Sequence, residues 1–231
     1  MSKTTVLVTG ANRGIGEAFV RHYADAGCRV HACCRAPDRA SALRDTAKTC
    51  DVVVHRLDVT DMASIHDLAA AIDDEPIDIL INNAGIAGAE PQSFGHMDYD
   101  DWALVLRTNV IGPYRVAEAL ADRVAASDMK RIANISSGMA SLADNLSGGS
   151  YAYRSSKAAL NMVVVNLARD LADRGISVIA LCPGWIVTDM GGPDAELSAD
   201  ESIAGMSRVI AGADLAHSGR FYHHTGPEFP W

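Results

Sequence analysis

Two side chains in Tyr153-Arg154-Ser155-Ser156-Lys157 could do chemistry together. On a helix their spacing sets the phenol and the ammonium on one face, one turn apart. There the cation can stabilise a phenolate and lower a pKa that starts near about 10. A tyrosine tuned in this way gives or takes a proton near neutral pH. A second element sits at the other end of the chain, where Thr9-Gly10-Ala11-Asn12-Arg13-Gly14-Ile15-Gly16 follows an apolar run from Thr5 and precedes a helical pattern. Its T-G-x-x-x-G-x-G spacing offers a tight turn, close backbone approach and a helix N-terminus aimed at a pyrophosphate. Gly10, Asn12, Arg13, Gly14, Ile15 and Gly16 are therefore candidate contacts to a dinucleotide. A dinucleotide beside an activated phenol means hydride transfer coupled to proton transfer at a carbonyl or alcohol carbon.

The end of the second strand bears on which dinucleotide. An NAD site usually carries Asp or Glu there for the ribose 2′-hydroxyl, whereas this chain has Cys34 followed by Arg35. Arg13 and Arg35 could converge on a 2′-phosphate through their planar forks, which favours NADP(H) over NAD(H). The alternative is a solvated Arg35 with Asp38 reaching the ribose. Asp58 and Val59, after the third strand, could bracket the adenine, or Asp58 could open a helix near Thr60-Asp61. Asn83, Ala84 and Gly85 close the fourth strand with groups small enough to admit a ribose.

The rest of the chain must position these groups. Its 231 residues fit one α/β domain and leave no room for a separate substrate domain. The composition is globular, 48% hydrophobic and 21% charged. Twenty basic against 29 acidic residues give a net charge of −9, which opposes nucleic acid or anionic lipid as a partner. There is no signal-peptide pattern or membrane-length apolar run, so a cytoplasmic protein is expected. Five cysteines (Cys28, Cys33, Cys34, Cys50, Cys182) lack metal-ligand spacing, and a reducing compartment with no metal site is expected.

Strand-like runs recur at Thr5 to Thr9, Arg29 to Cys34, Val52 to His55, Ile77 to Ile81, Arg131 to Ile135, Ser177 to Leu181 and Arg220 to Tyr222. Helical periodicity fills Ile15 to Ala26, Met62 to Ile72, Tyr99 to Val124 and Ala152 to Ala172. This alternation predicts a single doubly wound Rossmann domain over residues 1–231, with a seven-stranded parallel sheet and helices on both faces. Ser198 to Glu201 reads as a capping box, and the stretch from about 188 to 212 as a lid over the strand ends. Within the long helix, Pro113 cannot donate to the carbonyl of Asn109, which leaves that oxygen free to hold a water near Lys157.

These residues resemble the short-chain dehydrogenase/reductase family across almost the whole chain. The resemblance implies a catalytic set of Asn109, Ser137, Tyr153 and Lys157. In it Tyr153 is the proton donor, Lys157 also binds the nicotinamide ribose, and Asn109 starts a proton relay. In Asn134-Ile135-Ser136-Ser137-Gly138 the second serine matches the carbonyl-orienting hydroxyl, with Ser136 as the alternative. Pro183, Gly184, Val187 and Thr188 match the loop around the nicotinamide, with Trp185 either near the substrate or packed as core or interface. Cys33 to Pro37, Gly148 to Asn161, Pro183 to Gly192 and the ending Ser218 to Trp231 are similar to a carbonyl-reductase subgroup that includes the C-factor signal protein and the sniffer reductase. The resemblance implies NADPH-dependent reduction of small carbonyl compounds, with a signalling role and weak catalysis as the rival. It also implies a homodimer or homotetramer. The apolar ending Gly226 to Trp231 is expected to fold over the pocket or against a second subunit.

Overall fold

The computed structural model describes residues 3–231. Seven strands form one parallel sheet in the order β3-β2-β1-β4-β5-β6-β7. They are β1 (Thr5–Thr9), β2 (Arg29–Cys34), β3 (Val52–Arg56), β4 (Ile79–Asn82), β5 (Arg131–Ile135), β6 (Ser177–Cys182) and β7 (Phe221–His223). The helices are α1 (Gly14–Asp25), α2 (Ser41–Thr46), α3 (Met62–Ile72), α4 (Tyr99–Leu106), α5 (Gly112–Ala125), α6 (Tyr151–Asp170) and α7 (Ala199–Gly212).

Continuous apolar strands fit a sheet covered on both sides, because alternate residues serve opposite faces. Val6, Val8, Ile79, Ile81, Ile179 and Leu181 pack with Phe19 of α1 and Ile203, Met206 and Ile210 of α7. Leu7, Leu80, Val178 and Ala180 pack on the other face with Leu68 of α3, Leu120 of α5 and Val164 of α6. Fully burying each large side chain contributes about 1.5–3 kcal/mol. A register slip in any strand would exchange the two sets and lose most of it.

The connections from β1 run outward to β2 and β3 before the chain returns to pair β4 on the other side of β1, with Val6 opposite Ile79. The crossovers leave β1 and β4 in opposite directions, which opens a crevice at their carboxyl ends, the usual ligand site of such sheets.

Three local features differ from the sequence reading. The helix expected from Tyr99 to Val124 is interrupted by a π-turn over Arg107–Ile111, where the Gly112 N–H reaches back to the Arg107 carbonyl. Proline at 113 has no N–H to continue the α-helical ladder, so the chain takes up the mismatch in a widened turn. The short helix α2 is too brief to leave a periodic signature. The segment read as a lid also divides: Ile203, Met206 and Ile210 put α7 into the core, while Thr188, Asp189 and Met190 ahead of it border the cleft.

Candidate active site

A cleft of about 360 Å³ lies at the carboxyl ends of β1 and β4. Its floor is the glycine turn, in which Gly10 has φ +65° and Gly14 φ +54°. A methyl carbon on Gly16 would stand 2.2 Å from the Gly10 carbonyl oxygen, so the turn closes only around glycine. Asn83 locks it: its Nδ2 donates to the carbonyls of Thr9 at 2.9 Å and Gly10 at 3.1 Å. The N–H groups of Asn83 and Ala84 both donate to Thr9 Oγ1 at 3.0 Å. Arg13, at the N-cap of α1, supplies no side-chain capping bond. The first amides of that helix, at Gly14, Ile15 and Gly16, therefore face the cleft as donors for an anion.

Asn12, Arg13 and Arg35 also line the cleft. Arg13 Nη1 pairs with Asp189 at 3.0 Å in an exposed bridge between the two walls. Asp38 sits on the turn Pro37–Arg39, away from the lining residues. Asp58 and Val59 do line it. Asp58 Oδ1 accepts from the Thr60 N–H at 2.9 Å and from Thr60 Oγ1 at 2.7 Å. The acid that opens α3 is instead Asp61, which accepts from the Ala63 N–H at 3.0 Å. Burial pushes the Asp58 carboxyl up, but the two Thr60 bonds and the Arg35 and Arg56 charges outweigh it and hold it below the ordinary carboxylate range.

The cleft continues to Tyr153, Lys157 and Ser136. Lys157 is buried, and its Nζ donates to the Ile135 carbonyl at 2.8 Å. Nζ lies 5.8 Å from the centroid of the Tyr153 ring. Burial lowers the Lys157 pKa to about 8. Burial also raises that of Tyr153, against the nearby Ser137 hydroxyl, which lowers it. The expectation that the ammonium depresses the phenol pKa is not met in this arrangement: burial raises it, and the ammonium stands over the ring face and donates to the Ile135 carbonyl instead.

The two adjacent serines separate cleanly. The Ser137 hydroxyl acts to lower the Tyr153 pKa and caps the turn Gly138–Ala140 by accepting from the Met139 N–H, although Ser137 is not among the residues that line the cleft. Ser136 points the other way, its Oγ donating to Asn161 Oδ1 at 2.7 Å. It is a buried bridge from the cleft wall to α6. The Asn109 side chain, wholly buried, exchanges two bonds with Ile86, accepting from its N–H at 2.9 Å and donating to its carbonyl at 2.8 Å. A methyl carbon on Gly85 would stand 3.2 Å from Asn109 Oδ1 and 3.5 Å from Lys157 Nζ, so glycine keeps the gap between them open.

Beyond β6, Pro183 and Thr188 line the cleft, but Gly184 and Val187 do not. Gly184 turns the chain at φ +80°. The Val187 N–H donates to the Leu197 carbonyl at 3.0 Å, which ties the loop ahead of α7 to itself. Trp185 is exposed and donates to the Gly191 carbonyl at 2.7 Å, away from the cleft. Leu104, Thr108, Ile86 and Met190 also line it. Leu104, Thr108 and Ile86 come from a helix, the π-turn and a loop with no motif to mark them, while Met190 lies in the stretch Pro183 to Gly192. The final segment folds back beside the site: Phe229 packs at a tilt against Phe221 with centroids 5.1 Å apart. The Trp231 carbonyl accepts from Ser141 Oγ at 3.2 Å and the Ala143 N–H at 3.1 Å.

A doubly wound parallel sheet with this glycine turn and a Tyr-x-x-x-Lys helix defines the class, and residues 4–198 match the short chain dehydrogenase family, to which the chain belongs. It is an oxidoreductase of that family. The chain is 48% identical to the C-signal protein of Myxococcus xanthus over 156 residues, 68% of this chain and 93% of that one. Among solved structures, the NADPH-bound carbonyl reductase from chicken fatty liver matches over 100% of both chains, with TM-score 0.92 and 35% identity. The carbonyl reductase Sniffer of D. melanogaster does so with TM-score 0.92 and 28% identity. Among the described residues no helix is long and apolar enough to cross a membrane.

Proposed function

We propose that the protein reduces a small ketone, aldehyde or quinone to an alcohol with NADP(H), using Ser137, Tyr153 and Lys157. The observation that carries this reading is Tyr153 beside the buried Lys157 ammonium, with Nζ 5.8 Å from the ring centroid, in a cleft floored by the glycine turn. The likeness to an NADPH-bound carbonyl reductase over the whole chain supports it.

The cofactor fits the residues present. The uncapped amides of Gly14, Ile15 and Gly16 suit the pyrophosphate, close behind Gly10 and Asn12. Arg13 and Arg35 suit a 2′-phosphate, and Cys34 ends β2 where an NAD site would need an acid. Asp58 and Val59 flank the adenine, Asn83, Ala84 and Gly85 the riboses, and Pro183, Gly184, Val187 and Thr188 the nicotinamide end. Bound NADPH supplies the hydride.

The chain's own groups handle the oxygen. Ser137 and Tyr153 donate hydrogen bonds to the substrate carbonyl, and Tyr153 passes its proton to that oxygen as negative charge develops. A phenol whose pKa burial raises holds its proton at neutral pH, the form that reduction requires. Lys157, with a pKa of about 8, is mainly an ammonium there and stabilises the phenolate left behind. The Asn109 carbonyl, which Pro113 cannot satisfy, accepts the water that begins proton resupply through Lys157.

The test is NADPH oxidation against a panel of quinones, diketones and aldehydes. Tyr153→Phe should lose about 10²–10⁴-fold in turnover; a variant as fast as the parent removes the assignment. The 48% identity to C-signal favours one further reading, a signalling protein in which catalysis is incidental. Under it, Tyr153→Phe would keep the cellular effect while losing turnover.

We also propose a cytoplasmic homodimer or homotetramer. Five free cysteines suit a reducing compartment, and Tyr99, Tyr114 and Met162 leave apolar surface on α4, α5 and α6. Sedimentation as a monomer at micromolar concentration would contradict the assembly.

A further inference from the structure

The helix that carries Tyr153 begins without a cap of its own. Ser150 stands at its N-cap with φ +45° and makes no side-chain capping bond. The first amides of a helix need an acceptor from elsewhere when the end is buried. Gln92, in the loop after β4, provides it: Oε1 accepts from the N–H of Ala152 at 3.0 Å and of Tyr153 itself at 3.2 Å. Its Nε2 donates to the Ala87 carbonyl at 2.9 Å. The side chain is 4% exposed, so each of these bonds forms away from water.

The same loop is tied down at two further points. Ile86 exchanges its backbone bonds with Asn109, and the Ala89 N–H donates to Asp101 Oδ2 at 2.8 Å. Gly85 and Ile86 face the cleft. One loop thus joins the cleft wall, the Asn109 side chain and the backbone of Tyr153.

We propose that Gln92 is a positioning residue for the reaction: its amide holds the Tyr153 backbone so that the phenol meets Ser137 and the substrate oxygen. The inference rests on Tyr153 being the proton donor. Glutamine is the residue type the place requires. Two backbone N–H groups need an acceptor and one carbonyl needs a donor, which a primary amide satisfies with a single side chain. Glutamate keeps the acceptor and loses the donor, and alanine loses both.

The experiment compares the parent with Gln92→Ala, Gln92→Glu and Tyr153→Phe by kcat, KM, NADPH affinity from fluorescence quenching, melting temperature and the pH profile of kcat. Gln92→Ala should lower kcat about ten- to hundredfold through misplacement of the phenol, with NADPH affinity unchanged. Gln92→Glu should recover most of that loss. It should also move the alkaline limb of kcat to higher pH, because a carboxylate near the pair favours both the Lys157 ammonium and the neutral phenol. Parental kcat in Gln92→Ala overturns the proposal, as does a parallel fall in kcat, NADPH affinity and melting temperature. If Gln92→Ala does not fold, Gln92→Glu decides, and an alkaline limb identical to the parent's overturns it. Parental turnover in Tyr153→Phe is a different result, since it removes the catalytic reading on which the role of Gln92 depends.

Discussion

Lys157 Nζ stands 5.8 Å from the centroid of the Tyr153 ring and gives a hydrogen bond to the Ile135 carbonyl at 2.8 Å. The two motif groups meet across the face of the ring, with the ammonium held by β5. The cation is therefore placed independently of the phenol, and its own charge state becomes a control on activity.

That charge state sets the first prediction. Burial lowers the Lys157 pKa from 10.5 to about 8, so the ammonium is present below that pH and lost above it. We expect kcat/KM for reduction to fall as pH rises through about 8, and a flat profile there would count against the role. Between the folded and unfolded pKa values the unfolded chain binds more protons, so this group's destabilisation, about 3 kcal/mol below pH 8, is relieved as pH rises toward 10.5. Lys157→Met should lose the alkaline limb and most activity while keeping or raising the melting temperature at neutral pH.

The neighbouring serines should separate by type of effect. Ser137→Ala removes a donor to the reacting oxygen and should cost turnover at least about tenfold, beyond the roughly 1 kcal/mol lost with its cap on the Met139 N–H. Ser136→Ala strands Asn161 Oδ1, which Ser136 Oγ reaches at 2.7 Å, and should cost about 1–3 kcal/mol in a denaturant titration. Reversal of the two outcomes would reassign the hydroxyl.

Cofactor choice is tested at Arg35. Losing a charged bond to a 2′-phosphate is worth about 1.5–3 kcal/mol, so Arg35→Ala should weaken NADPH about ten- to hundredfold and leave NADH unchanged. Asp189→Ala frees Arg13 from its exposed bridge and should tighten NADPH slightly. An unaltered NADPH/NADH ratio in Arg35→Ala would remove the preference.

At the opposite end of the sheet, His31 Nδ1 and His55 Nε2 lie 2.8 Å apart, with His31 also 3.4 Å from Glu75. Burial lowers both imidazoles, His55 to about 4. Their folded pKa values lie below the ordinary 6.5, so the stability present above that pH is lost as pH falls toward 4. Melting temperature should drop across that window, and His55→Gln should flatten the dependence. A parent curve already flat from pH 6.5 to 4 would refute the assignment.

The fold was legible because strand and helix patterns alternate with few ambiguities, and apolar runs such as Val6 to Val8 need cover on both faces. The cleft gathers Gly10, Arg35, Asp58, Asn83, Tyr153 and Lys157 because each sits at the end of a strand or in a local motif. What stayed hidden depends on partners distant in sequence. Gln92 reaches the amide of Tyr153 across 61 residues, and nothing in Glu90-Pro91-Gln92 marks it. The direction of the Tyr153 pKa escaped for a related reason: spacing reveals the cation but not how much protein surrounds the phenol. The Val187 N–H is likewise taken by Leu197, in a loop with no regular pattern.

The Trp231 carbonyl, held by Ser141 and Ala143, has a practical corollary for anyone preparing the protein. Ser141 follows Ser137 by only four positions, so proteolytic loss of the segment that reaches Trp231 would leave the Ser141 hydroxyl and the Ala143 N–H without that acceptor and loosen the turn that carries Ser137. Kinetics from a preparation clipped in that segment would report an altered turn beside Tyr153 together with the enzyme.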